Sequence, residues 1–330
     1  MRHILAPLIE NIEAVKPLAI ASIVKSAGSA PRTSGARMLL NETKILAGTV
    51  GGGAVEAACE QQAYRLLKDG GGDCITDFNL SVSDAANLGM VCGGAVSVLI
   101  QKVKVSDLEF FATLQEAYHA GTTPLLVTLL PENGKDALFL NLAEAEELEK
   151  SILTKKTPRQ SFFHESNGHN YFIEPLFHPG TVHIMGGGHV GLATAQFAKK
   201  VGFDVAIVDD RPEFANVERF PGADVVTVLN DFTSCCTGFT ENDYVVIVTR
   251  GHIHDRDVLA EALRTPATYI GMIGSSRKRQ AVYDSILESG FTEDDLKRVS
   301  SPIGLTIGAD TPQEIGISIV AELIAHRAAK

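Results

Sequence analysis

The sequence predicts an α/β protein with a doubly wound parallel sheet in its C-terminal half and an α+β domain before it. Three observations carry this. The first is Thr181-Val-His-Ile-Met-Gly-Gly-Gly-His-Val-Gly191, followed by Val205-Ala-Ile-Val-Asp-Asp210. It reads as strand, glycine turn, helix, strand and acid. The second is the regular alternation of strand and helix patterns through residues 181–330, the mark of parallel strands joined by right-handed crossovers. The third is a change of pattern at His178-Pro179-Gly180, a linker composition that divides the chain into residues 1–178 and 179–330.

Gly186, Gly188 and Gly191 fill a G-x-G-x-x-G pattern. Such glycines give a tight turn, close backbone approach to a phosphate, and close helix–strand packing. The helix after them starts with free N–H groups and the positive end of its dipole, which suits an anion. Asp209 ends the next strand, where an acid is expected to take a ribose hydroxyl. The second half therefore reads as a Rossmann-type domain. Its strands are predicted at Val182–Met185, Val205–Val208, Val225–Leu229, Tyr244–Thr249 and Thr268–Ile273. Its helices are predicted at 190–201, 213–219, 255–264, 276–289 and 312–328.

In the first half, strands are predicted at Leu18–Lys25, Arg37–Leu40, Ala95–Val103 and Pro124–Leu130. Helices are predicted at Val55–Lys68, Asp107–Ala120 and Ala143–Leu153. Phe162–His164 and Tyr171–Phe177 form a hairpin around Asn167-Gly168. A mixed sheet is expected there.

Composition narrows the function. A chain of 330 residues is long enough for two cores. Its net charge is −11, with no basic block, which argues against nucleic acid and anionic membrane surfaces. The longest apolar runs suit buried strands and are too short to span a bilayer. No signal-peptide pattern opens the chain. Five cysteines, at 59, 74, 92, 235 and 236, include no C-x-x-C pair. That disfavours a disulfide framework or structural zinc and makes a reducing cytoplasm the simplest compartment. Cys235 and Cys236 read as two unconnected thiols, since a disulfide between neighbours is strained.

Four further segments could carry chemistry. Gly48-Thr-Val-Gly-Gly-Gly53 runs into a helix bearing Glu56, and the amides of Gly51, Gly52 and Gly53 form either an anion nest or a simple turn. Arg32, stiffened by Pro31, is either a phosphate or carboxylate contact or a surface arginine. Cys92, in a glycine-flanked loop, is either a reachable thiol or a small core residue. On the carboxyl side of the parallel strands stand His252 and His254, offering two metal ligands or acid–base groups without an evident third ligand. Gly274 and Ser275 lie there too, before a helix whose first turn holds Arg277 and Lys278, a second anion site or a capped helix with solvated charges.

Taken together these segments resemble the xanthine dehydrogenase accessory protein family (XdhC/CoxI) over nearly the whole chain. The N-terminal resemblance lies in Gly28-Ser-Ala-Pro-Arg32, Gly35-Ala-Arg-Met38, Gly48-Thr-Val-Gly-Gly-Gly53 with Glu56, and Cys92-Gly-Gly94. The C-terminal resemblance lies in Gly186-Gly-Gly-His-Val-Gly191, Asp209-Asp-Arg211, Gly271-Met-Ile-Gly-Ser275, Pro302-Ile-Gly-Leu-Thr-Ile-Gly308 and Thr311–Glu322. One departure is Ala54 after the N-terminal glycine turn, where many members carry a cysteine or a bulkier apolar residue.

The resemblance implies a chaperone for the molybdenum cofactor, as molybdopterin or its dinucleotide form. Such a protein protects the cofactor during sulfuration and delivers it to an apo molybdenum hydroxylase of the xanthine dehydrogenase type. It implies an accessory protein rather than a catalyst, with the hydroxylase and a cysteine desulfurase as partners and a homodimer as assembly. Gly186, Gly188, His189, Gly191, Asp209, Gly274 and Ser275 would hold the phosphate or ribose part. Arg32, Gly51, Gly52, Gly53 and Cys92 would line the pterin end. Some members are labelled as serving selenium-dependent molybdenum hydroxylases, and that branch stays open. From the residues alone, the rival readings are an NAD-dependent oxidoreductase using His252 or His254, and a module that senses NAD(H) without turnover.

Overall fold

The computed structural model describes residues 1–330 except 28–33, 80–93, 121, 123, 133, 141–160, 251 and 330. The chain forms two compact units, Met1–His178 and Pro179–Lys330. Among the described residues no helix is long and apolar enough to cross a membrane.

The first unit carries two sheets. One has five strands, β1 (Leu18–Ala27), β2 (Arg37–Leu40), β3 (Ile45–Gly48), β4 (Cys74–Asn79) and β5 (Ala95–Val103), in the order β3-β2-β1-β5-β4. Helix α1 (Arg2–Glu13) sets Ile4, Leu5, Leu8 and Ile12 against Leu18, Ile20 and Leu39 on one face, together with Phe111 and Leu114 of α3 (Leu108–His119). Helix α2 (Gly53–Asp69) sets Val55, Cys59 and Ala63 against Ala19, Ala21, Met38 and Val98 on the other. Alternate residues of β1 thus feed two cores, as a period of two requires.

The other sheet joins β6 (Leu125–Leu129), β7 (Leu138–Leu140), β8 (Phe162–Ser166) and β9 (His169–Pro175) in the order β7-β6-β9-β8. Asn167 and Gly168 make the β8–β9 turn, both with positive φ. The expected mixed sheet is corrected: every strand pair of this unit is antiparallel. Short loops or single helices return each strand beside its partner, so no parallel crossover arises. The helix expected at Ala143–Leu153 lies outside the described residues.

The second unit is a six-stranded parallel sheet, β10 (Thr181–Met185), β11 (Asp204–Asp209), β12 (Val225–Val228), β13 (Asp243–Ile247), β14 (Tyr269–Met272) and β15 (Val299–Ser300). Its order is β12-β11-β10-β13-β14-β15. Helices α4 (His189–Lys200) and α8 (Pro312–Ala329) cover one face, packing Ala195, Ala198, Ile319 and Leu323 on Val182, Ile184, Val205 and Val246. Helices α5 (His252–Leu263) and α6 (Ser276–Glu288) cover the other, packing Val258, Leu259, Val282 and Ile286 on Met185, Val245, Ile247 and Met272. A short helix, α7 (Glu293–Leu296), leads into β15. Both faces are apolar because both are covered.

The helix expected at 213–219 is also corrected. Residues 211–219 form successive turns instead. Their backbone and side chains are committed to the glycine turn beside them, as described next, and this tertiary demand overrides local helix preference.

Candidate functional site

The strand order reverses between β10 and β13, and the carboxyl ends of these strands open the crevice where open α/β sheets bind ligands. Gly186 leaves β10 with φ of 122°, a backbone geometry that favours glycine. Its amide bonds the Val208 carbonyl at 2.8 Å, while the Val248 amide bonds the Met185 carbonyl at 2.9 Å. The turn is thereby tied to the strands on both sides.

The three glycines of the pattern play different parts. A side chain at Gly186 would collide with the Val248 carbonyl, and one at Gly191 with the carbonyl of Gly186. A side chain at Gly188 would meet nothing within 4 Å. Gly188 also precedes the first turn of α4, and no side chain caps that helix. The open space and the uncapped helix start fit a phosphate, which accepts from such amides and is favoured by the dipole. His189 opens α4 and is exposed.

Asp209 is placed differently from a free ribose ligand. It is 2% exposed. Its Oδ2 accepts from the Gly187 amide at 2.7 Å and from an Arg211 terminal nitrogen at 3.2 Å. Its Oδ1 accepts from the Arg211 amide and Nε, each at 3.0 Å. Burial alone would raise the pKa of this carboxyl, but the Arg211 and Gly187 hydrogen bonds outweigh it and hold the group below the usual range. The Arg211 guanidinium lies 3.8 Å from the Phe214 ring centroid, and that of Arg219 lies 5.2 Å from it. Arg219 Nε donates to the Gly187 carbonyl at 3.0 Å.

Across the crevice, Thr249 follows β13 and donates its hydroxyl to Asp255 in the first turn of α5. Asp255 has no exposed surface and is ion-paired with Lys278. Burial raises this carboxyl above its ordinary value, against the pull of Lys278 and Thr249. Ser275 is the N-cap of α6, its hydroxyl accepting from the Lys278 amide at 3.4 Å, and Gly274 packs on the Lys278 stem. The expected second anion site is thus built around a lysine that already has a carboxylate partner. His254 sits 4.0 Å from Asp210 with its ring 5.3 Å from that of Phe232.

The N-terminal glycine turn holds an anion of its own. Gly51, Gly52 and Gly53 all have positive φ. The Gly51 amide donates to the Thr49 hydroxyl at 3.0 Å, and the Gly52 amide to the Glu56 carboxylate at 3.2 Å. Thr49 donates its hydroxyl to the same carboxylate. Arg32 and Cys92 lie outside the described residues.

Sequence reading brought Gly186, Gly188, His189, Gly191 and Asp209 to one place, and Gly274 and Ser275 to the same sheet edge. It missed Phe214, Arg219 and Asp255. The only signal for the first two was their closeness to Asp209 in sequence, and for Asp255 a carboxylate opening a helix just past a strand.

Comparison with known proteins agrees with this architecture. Residues 182–323 match the XdhC Rossmann domain, and residues 12–79 match the XdhC and CoxI family. Three curated relatives are similar. The chain is 27% identical over 310 residues to the uncharacterized protein YqeB of Escherichia coli, covering 93% of this chain but only 43% of that protein. It is 27% identical to a protein of Bacillus subtilis named as a probable xanthine dehydrogenase component, covering 93% of this chain and 92% of the relative. It is 21% identical to the molybdenum cofactor insertion chaperone PaoD of Escherichia coli, covering 99% and 88%. A crystal structure described as a xanthine dehydrogenase from Bacillus halodurans shares the fold, with a TM-score of 0.79 and 24% identity over 99% of this chain and 96% of that one. With both halves matched in order, and the glycine turn of the parallel sheet inside the matched span, the chain belongs to the XdhC and CoxI family.

Proposed function

We propose that this protein is a molybdenum cofactor insertion chaperone for a molybdenum hydroxylase of the xanthine dehydrogenase type. The observation that carries the reading is the match to a relative named for that task along 99% of this chain. The crevice supports it. Open space at Gly188 and the uncapped start of α4 suit the phosphate tail of an anionic pterin. Gly186 and Gly191 shape the turn, His189 borders it, and Gly274 and Ser275 form the opposite rim. Asp209 braces the turn rather than meeting the cargo.

In this reading the protein shelters the cofactor while it gains its terminal sulfur, receives that sulfur through a cysteine desulfurase, and releases the product to the apo-hydroxylase. It works in the cytoplasm as a homodimer and catalyses no reaction of its own. Purification without oxygen after co-expression in a molybdopterin-producing host tests it. Pterin is oxidised and quantified by fluorescence, and bound NAD is assayed on the same sample. Near-stoichiometric pterin is expected. Bound NAD(H) without pterin would overturn the reading in favour of a dinucleotide enzyme or sensor.

A further inference from the structure

The glycine turn keeps what a phosphate requires and has closed off what a nucleoside requires. In a doubly wound domain the acid ending the second strand recognises a dinucleotide by accepting from its ribose hydroxyls. An ionised carboxylate offers about four lone-pair sites. At Asp209 four N–H donors already point at them, one from Gly187 and three from Arg211. Three of the four come from a residue that also carries a positive charge, and charge-assisted bonds of this kind are the strong ones.

The space beside the acid is closed as well. Residues 211–219 are fastened to the glycine turn at several points. The Phe214 carbonyl stands where a side chain on Gly187 would be, and Arg219 donates to the Gly187 carbonyl at 3.0 Å. The Phe214 ring carries the Arg211 guanidinium at 3.8 Å. This stack of aromatic ring and guanidinium lies on the β11 side of the turn, the side on which a dinucleotide's adenosine would rest. The phosphate side differs, with nothing within 4 Å of a side chain at Gly188 and no side-chain cap on α4.

We infer that the crevice accepts a ligand ending in a phosphate, a phosphomonoester, and refuses the adenosine ribose of a nicotinamide dinucleotide. Arg211 and Phe214 are the residues that set this specificity. The inference rests on the chaperone reading only for what the phosphate is attached to. On that reading the phosphate-terminated pterin fits and the nucleotide-extended form does not.

The test is calorimetric titration of the full chain with inorganic phosphate, ADP-ribose and NAD, for wild type, Arg211→Ala and Phe214→Ala. Wild type should bind phosphate saturably, and ADP-ribose and NAD no more tightly than phosphate. Arg211→Ala frees the Asp209 carboxylate and should tighten ADP-ribose by about tenfold, with phosphate unchanged. Phe214→Ala removes the ring that holds the guanidinium and should act in the same direction, so it decides the matter if Arg211→Ala does not fold. Three results overturn the inference: no saturable phosphate binding, wild-type affinity for NAD about tenfold above that for phosphate, or a folded variant in which ADP-ribose binds no better. Pterin content is read separately. Refusal of nucleotides with no pterin after co-expression would sink the chaperone reading and leave this inference standing.

Discussion

Gly191 in the first turn of α4 lies so close to Gly186 that any side chain at 191 would run into the Gly186 carbonyl oxygen. The helix start and the end of β10 are in backbone contact there. Gly188, between them in sequence, faces open space instead. One motif therefore contains two kinds of glycine, and substitution separates them. Gly191→Ala is expected to destabilise the fold by about 2 kcal/mol, the usual cost of forcing extra atoms into a packed site. Gly188→Ala is expected to keep stability within about 0.5 kcal/mol of wild type. Its methyl group would occupy the phosphate's approach, so phosphate affinity should fall by about tenfold. Thermal melting and phosphate titration of the two variants check both halves of the expectation.

Glu56 makes the N-terminal glycine turn self-sufficient. Its carboxylate collects the Gly52 amide and the Thr49 hydroxyl. Without it, the Gly52 amide and a hydroxyl in a partly buried turn lose their acceptor. Glu56→Ala is expected to cost about 1–2 kcal/mol, as loss of a helix-start acceptor does, and Glu56→Gln less. Urea unfolding of the two variants distinguishes this capping role from direct contact with cargo. A cargo contact would lower pterin content and leave the unfolding midpoint unchanged.

The parallel half was legible because its signals are local. Glycine spacing, apolar runs such as Tyr244–Ile247 and the terminal acid each specify their own surroundings. The antiparallel half was less so. Helix α1 carries Pro7 in its interior, which argues against a helix on sequence grounds, yet Ile4, Leu5, Leu8 and Ile12 bury one face of it. Strand β4 is a sheet edge with mostly exposed residues, so it lacks the apolar run that marks β1 or β5. The candidate site divides in the same way. Gly188 could be found from spacing. The occupied state of Asp209 could not, because it depends on where Arg211, Phe214 and Gly187 meet in space.

His183 and Asp243 tie the starts of β10 and β13 together through a 2.7 Å hydrogen bond, and the His183 ring stacks on Phe239 at 3.9 Å. Burial works to raise the Asp243 carboxyl, but bonds from His183 and Thr240 prevail and hold it below the ordinary range. A carboxyl with a depressed folded value binds fewer protons folded than unfolded. Its contribution to stability is therefore full above its unfolded value, near 3.8, and is lost as pH falls through the lower folded value. Asp243→Asn should be less stable than wild type at pH 7. The gap should narrow below about pH 4. Denaturant unfolding at both pH values measures it, and a gap independent of pH would assign the effect to packing alone.

Asp255 carries the opposite sign. Its carboxyl is fully buried and raised by that burial, with Lys278 and Thr249 compensating in part. A raised carboxyl holds its proton more firmly when folded, so its stabilising contribution is present below the unfolded value, near 3.8, and declines as pH rises through the folded value. Lys278 limits that decline by pairing with the charged form. Lys278→Met should cost about 3 kcal/mol at pH 7, because one half of a buried ion pair would be left without its partner. The loss should shrink toward pH 4, where Asp255 can take up a proton, and it should shrink again at pH 7 in the double variant with Asp255→Asn. A double-mutant cycle run at both pH values gives the coupling directly. Equal losses for Lys278→Met with and without the Asp255 charge would show that Lys278 stabilises the crevice through its stem on Gly274 and not through the ion pair.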